Sequence, residues 1–177
     1  MTAATGIGAR VLRTEDKRFL TGTGRYVDDL PLARATYAYF LRSPHAHAKI
    51  KKLDISAAAK MSGVVNIFTG KDLVDAKVGG LICGWVVKDK HGEPHKAPPH
   101  PVMAVDTVRY VGDTVAMVVA NSYDEAKDAA EAIKVDYDVQ PANIDLAKSF
   151  DKGAPQVHPE APGNLIYDWE IGVKADV

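Results

Sequence analysis

The hydrophobic pattern changes period twice between residues 115 and 137. Val115-Ala-Met-Val-Val-Ala120 is an apolar run with few polar interruptions, which predicts a central strand covered on both faces. Ser122 with Glu125 then forms a capping box. Tyr123, Ala126, Ala130 and Ile133 follow at helical spacing on one face, with Asp124, Lys127, Asp128 and Glu131 opposite, so one main amphipathic helix is expected. Period two takes over at Ile133, Val135 and Tyr137, while Lys134 and Asp136 face out. The unit reads as β-α-β, and a parallel pairing of its strands would cross over right-handed.

Upstream the pattern predicts further strands. Tyr37-Ala-Tyr-Phe-Leu-Arg42 is aromatic and apolar, and Pro44 ends it or puts it on an edge. His45-Ala-His-Ala-Lys-Ile50 alternates, but Leu53 and Ile55 slip the phase, so a bulge is expected near Lys51 and Lys52. Ser56 suits the N-cap of a short Ala57-to-Met61 helix, with Gly63 after it. Val64-Val-Asn-Ile-Phe68 is a strand, and Thr69 with Asp72 caps a short helix. Thr107-Val-Arg-Tyr-Val111 alternates, with Arg109 on the outward face. Val78 to Val87 has the character of a strand or hairpin. From Lys88 the chain is polar and punctuated by Pro94, Pro98, Pro99 and Pro101, so residues 75–101 read as a long loop, an insertion or a partner-facing excursion rather than core.

The ends differ from the middle. Residues 1–18 look loose, and the Gly22/Gly24 pair lacks the third glycine and preceding strand of a dinucleotide fingerprint, which leaves a Gly-kinked extended arm. Pro141, Pro155, Pro159 and Pro162 predict a second extended arm, ending in the strand-like Asn164-Leu-Ile-Tyr-Asp-Trp-Glu-Ile171. An aromatic, strand-like arm with only a few residues after it reads as part of something longer. At 177 residues and 46% hydrophobic, the chain suffices for one domain with arms. Twenty-two Lys and Arg against 23 Asp and Glu give no basic excess for nucleic acid. The apolar runs are too short to span a bilayer, and the first residues carry no secretory signal pattern. Cys83 is solitary, which fits a reducing compartment and excludes an intramolecular disulfide or multi-Cys metal site.

Candidate chemistry is thin. His45 and His47 share a strand face but have no third ligand nearby, and His91, His95 and His100 sit in a Pro-rich loop without helical phase. Cys83 has no local base and reads as a small buried thiol. Asp28 and Asp29 read as a solvated turn, and Asp124, Asp128 and Glu131 as a wet helix face. There is no serine elbow, P-loop or phosphate cradle. The residues therefore predict no catalytic, cofactor-binding or metal site.

Five spaced stretches do carry a resemblance: Arg18-Phe-Leu-Thr-Gly-x-Gly-Arg-Tyr-Val-Asp-Asp29, Leu41-Arg-Ser-Pro-His-Ala-His-Ala-Lys-Ile50, Gly63-Val-Val-x-Ile-Phe-Thr-Gly70, Val108-Arg-Tyr-Val-Gly-Asp-Thr-Val-Ala116 and the 126–137 unit. In this order they resemble the N-terminal α/β-hammerhead domain of the molybdopterin-binding large subunit of molybdenum hydroxylases, the group that includes xanthine dehydrogenase, aldehyde oxidase and aerobic carbon monoxide dehydrogenase. Three-subunit bacterial enzymes fit best, because Met1 lies just ahead of the match. Asp113 stands where the family usually has Glu.

The resemblance implies an α+β fold with a mixed β-sheet. It divides the chain into an N-terminal arm over 1–26, a hammerhead over 27–140 and a C-terminal arm over 141–177 leading to molybdopterin-binding domains. It implies a cytoplasmic oxidoreductase that hydroxylates an aldehyde, a purine or another N-heterocycle, or oxidises carbon monoxide, with water as oxygen source. The molybdenum–molybdopterin cytosine dinucleotide would lie elsewhere in the subunit, and iron–sulfur and FAD groups on small and medium partner subunits. None of the family's catalytic residues maps onto this chain, which is expected to be a structural and assembly domain. Phe19, Leu20, Gly22, Gly24, Arg25, Tyr26, Leu165, Tyr167 and Trp169 are its expected contacts to other domains or subunits. The alternative is a free-standing ligand-binding or interaction module of the same fold.

Overall fold

A computed structural model describes residues 6–9 and 11–172; the readings made above for 1–5, 10 and 173–177 lie outside the described residues. The chain divides into two units, Met1–Ala35 and Thr36–Val177. In the first, a short helix α1 (Asp16–Leu20) is followed by Gly22 at φ +70°, a left-handed turn that favours glycine. The turn brings the Thr23 and Gly24 amides back onto the Arg18 carbonyl at 2.8 and 2.9 Å. The Gly pair thus folds the arm back rather than extending it, and Phe19 stacks on Tyr26 at 5.3 Å.

The second unit holds six strands: β1 (Tyr37–Arg42), β2 (Ala48–Asp54), β3 (Val64–Thr69), β4 (Thr107–Val108), β5 (Thr114–Ala120) and β6 (Lys134–Val139). Two helices join them, α2 (Gly70–Asp75) and α3 (Tyr123–Ala132). The α+β class holds, but the expected single mixed sheet is two three-stranded sheets, ordered β1-β5-β3 and β4-β2-β6, and every pairing among the described residues is antiparallel. The β5-α3-β6 unit exists, yet its strands enter different sheets, so no parallel crossover forms. Alternation along a strand specifies which face is buried but not which neighbour it pairs with.

One core lies between the first sheet and α3: Ile67, Ala116, Val118 and Ala120 meet Ala126, Ala129, Ala130 and Ile133. Alanines let the helix approach closely. Ala129 joins this face, whereas Tyr123 stays half-exposed, edge-on to Tyr39 at 5.6 Å. A second cluster, Ala48, Ala104, Val108 and Val115, fills the second sheet's side. β5 is central as expected, sending Val115 to one cluster and Val118 to the other; Met117 and Val119 are only partly covered.

Local signals hold where a cap or bulge decides them. The β2–β6 register shifts between Ile50 and Lys52, and Thr69 accepts from the Asp72 amide at the start of α2. Ser122 likewise accepts from the Glu125 amide and starts α3. Ser56 does not cap; its hydroxyl donates to Asp54 Oδ1 at 2.6 Å, and a 3-10 turn (Ala58–Lys60) replaces the helix. Val78 to Val87 forms no strand among the described residues, because its backbone pairs inside its own loop: Leu81 N donates to His100 O and His95 N to Val87 O, both at 2.8 Å.

Candidate functional site

The chemistry-bearing residues gather where the 75–101 loop, the turn after β4 and the C-terminal stretch meet. The turn is built by Gly112 at φ +91°, whose amide donates to Ser43 O while Ser43 N donates to Asp113 O, both at 2.8 Å. Asp113 Oδ2 accepts from the Arg109 amide at 3.0 Å, and this interaction folds the expected strand after Val108 into a turn. Aspartate serves here where the longer family glutamate was expected.

The C-terminal stretch is a knot rather than a strand. Asn164, at φ +59°, donates to Ser149 O and Pro155 O, and its Oδ1 accepts from Val157 N at 2.9 Å. Gln156 Nε2 reaches His158 O and Ala161 O at 2.8 and 2.6 Å. Beyond the knot the chain lies along the loop: Lys96 N donates to Ile166 O, and Lys90 N to Asp168 O. Two such bonds are too few for a ladder, so the strand-like 164–171 segment stays irregular.

These elements enclose a cavity of about 230 Å³. Pro98, Pro99, Ala104 and Ile166 form its apolar wall, and Arg109, Tyr110, Asp113 and His158 line it too. Arg109 Nε contacts Val157 O at 3.3 Å and Nη1 contacts Thr107 O at 3.4 Å, both long bonds. His158 Nδ1 is buried with no hydrogen-bond partner. Burial, with Arg109 nearby, holds the imidazole below its ordinary pKa.

The contact residues expected from the sequence are placed in two groups. Phe19 is half-buried over Gly24, while Leu20, Gly22, Arg25 and Tyr26 are exposed. Leu165, Tyr167 and Trp169 are exposed on the C-terminal stretch, with Tyr167 edge-on to His95 at 6.5 Å. Cys83, expected buried, is exposed, and its Sγ donates to Trp85 O. His45 packs on Tyr137, and His47 Nδ1 lies 2.9 Å from Pro141 O. Sequence reading passed over His158 and Arg109. They lie 49 positions apart, and no local period links them.

Residues 21–141 match the family model described as aldehyde oxidase and xanthine dehydrogenase, a/b hammerhead domain. The chain belongs to that family. The nicotine 6-hydroxylase large subunit of Paenarthrobacter nicotinovorans is 38% identical to it over 159 residues, 90% of this chain and 19% of that protein. The carbon monoxide dehydrogenase large chain of Afipia carboxidovorans is 35% identical over 182 residues, 96% of this chain and 21% of the other. The crystal structure of quinoline 2-oxidoreductase from Pseudomonas putida 86 superposes with a TM-score of 0.70 at 36% identity, covering 83% of this chain and 18% of that one. The hammerhead chain spans about a fifth of the length of these curated relatives.

The glycines of the hammerhead's third motif have steric reasons. Gly63, at φ +79°, lies against the Glu125 carboxylate, and Gly70 lies against the carbonyl of Ala104. A molybdenum–pterin group does not fit the donors of this hammerhead. Among the described residues no three His, Cys, Asp or Glu converge, and the one thiol turns toward a carbonyl.

Proposed function

We propose that the chain is a non-catalytic structural and assembly domain of a molybdenum hydroxylase large subunit. One observation carries this reading: a packed α+β body is joined to apolar surface with no cover of its own. Ile82 is 91% exposed, Trp85 79% and Ile171 84%, against fully buried Val108, Val115 and Val118. Exposed aromatic and aliphatic groups of this density are the usual mark of an interface. Phe19, Leu20, Gly22, Gly24, Arg25, Tyr26, Leu165, Tyr167 and Trp169 are the residues we assign to contacts with the remaining large-subunit domains and with iron–sulfur and FAD subunits. On this reading 1–26 and 141–177 are connecting arms around a 27–140 body. The parent complex is a cytoplasmic oxidoreductase acting on an aldehyde, a purine or other N-heterocycle, or carbon monoxide, with water as oxygen source. Its molybdenum–molybdopterin cytosine dinucleotide sits in the rest of the subunit. No helix among the described residues is long and apolar enough to cross a membrane.

Sequencing the gene beyond the codon for Val177 tests the reading. An open frame of several hundred further codons is expected. A stop codon directly after Val177 would instead favour a free-standing interaction module of the same fold.

A further inference from the structure

The cavity beside His158 holds three unusual features together. It is walled by prolines and aliphatic carbons. One buried imidazole nitrogen aims at no partner. Arg109 is half-buried, and the ion pairs of the described residues leave it out. A half-buried guanidinium without a carboxylate, next to an unpaired polar nitrogen, is costly unless something supplies acceptors. Backbone carbonyls reach Arg109 only at 3.3 and 3.4 Å. The His158 ring is held by its own backbone, since its carbonyl accepts from Gln156 Nε2 and from the Ala161 amide.

We propose that this cavity is a binding site for a small organic carboxylate, its head held by Arg109 and His158 and its apolar body against Pro98, Pro99, Ala104 and Ile166. Size and charge both select this class. About 230 Å³ exceeds the roughly 150 Å³ that accommodates benzene in an apolar protein cavity, so a single-ring acid fits. The Arg109 guanidinium makes no ion pair with Asp113, which takes the Arg109 backbone amide instead, so its donors stay available to a ligand. Glu160, His100 and His47 are the other ionisable groups that face His158. Asp113 lines the cavity too, engaged by the Arg109 amide and the Tyr110 hydroxyl, and its charge opposes a dianion such as phosphate more strongly than a monocarboxylate. The site is complete within residues 98–166, so it does not depend on the assembly reading above.

The test is a benzoate titration of the whole chain followed by NMR of the His158 ring, with benzamide and inorganic phosphate in parallel. Benzoate is expected to give saturable shifts, with benzamide and phosphate at least about tenfold weaker, since a charge-assisted bond contributes more than about 1.4 kcal/mol. Arg109→Gln is expected to weaken benzoate by at least about tenfold. Arg109→Lys, which keeps the charge, falls between, and it decides the matter if Arg109→Gln does not fold. Benzamide binding as well as benzoate, unchanged affinity in the folded Arg109 variants, or the absence of a saturable His158 shift would each overturn the proposal.

Discussion

The carboxylate of Glu125 occupies the space into which a Cβ on Gly63 would project. The same glutamate accepts from Ser122 Oγ at 2.9 Å, and the Gly63 carbonyl accepts from Asn121 N at 2.9 Å. The entry to β3 and the start of α3 are thus locked through one residue without a side chain. Gly63→Ala is expected to destabilise the chain by about 1–3 kcal/mol, from the left-handed backbone and the steric conflict together. Combining it with Glu125→Ala should remove the steric part and leave the backbone part. Urea midpoints of the four proteins measure this; strictly additive losses would contradict the lock.

Val118 is central to the core between the first sheet and α3, and fully buried. Val118→Ala is expected to cost about 1.5–3 kcal/mol, while Val65→Ala, at an exposed strand position, should stay within about 0.5 kcal/mol. Equal losses at the two positions would mean that the core is misplaced.

Thr69 and Ser122 each accept a backbone amide at a helix start. Replacing either with alanine should cost about 1 kcal/mol, and Ser56→Ala should leave the Ala58–Lys60 turn without loss of a cap. Amide hydrogen exchange in the first turn of each helix provides the readout.

The strands β1, β2, β3, β5 and β6 and the Thr69 and Ser122 caps were legible because local period and capping chemistry determine them, whereas 78–87, 109–111 and 164–171 had strand-like composition without a pairing partner. Partner choice was not. Nothing in the alternation of Val135 and Tyr137 says that β6 pairs with β2 rather than beside β5. Ser56 was misread because Asp54, two residues earlier, competes for its hydroxyl. The cavity was illegible for a stronger reason: Arg109 and His158 meet through the Asn164 and Gln156 knot, whose hydrogen bonds to the 149–163 backbone leave no periodic trace.

Three of the shifted groups illustrate the pH profile. The Ser56 hydroxyl and amide, with Lys52, hold Asp54 at about 2, against an ordinary 3.8. Its contribution is therefore complete above 3.8 and is lost as pH falls toward 2. His158, lowered mainly by burial, has the same sign: the unfolded chain takes up its proton first, so stability declines below the ordinary 6.5. Tyr137 is raised by burial, so its contribution is complete below the ordinary 10.0 and is lost above it. Thermal midpoints against pH should show both limbs, and Asp54→Asn should reduce the steepness of the acid limb below 3.8 while leaving the alkaline limb unchanged.

The central claim is that this hammerhead braces an oxidoreductase without doing its chemistry. It is tested most directly by co-expressing the chain with the remainder of its large subunit and the two partner subunits, then weighing the purified complex by light scattering. The account predicts one copy of the chain per large-subunit remainder, with that copy lost on combined Leu165→Ser, Tyr167→Ser and Trp169→Ser substitution, and turnover kept in Cys83→Ser. A chain that stays monomeric beside a fully assembled, active complex would contradict it.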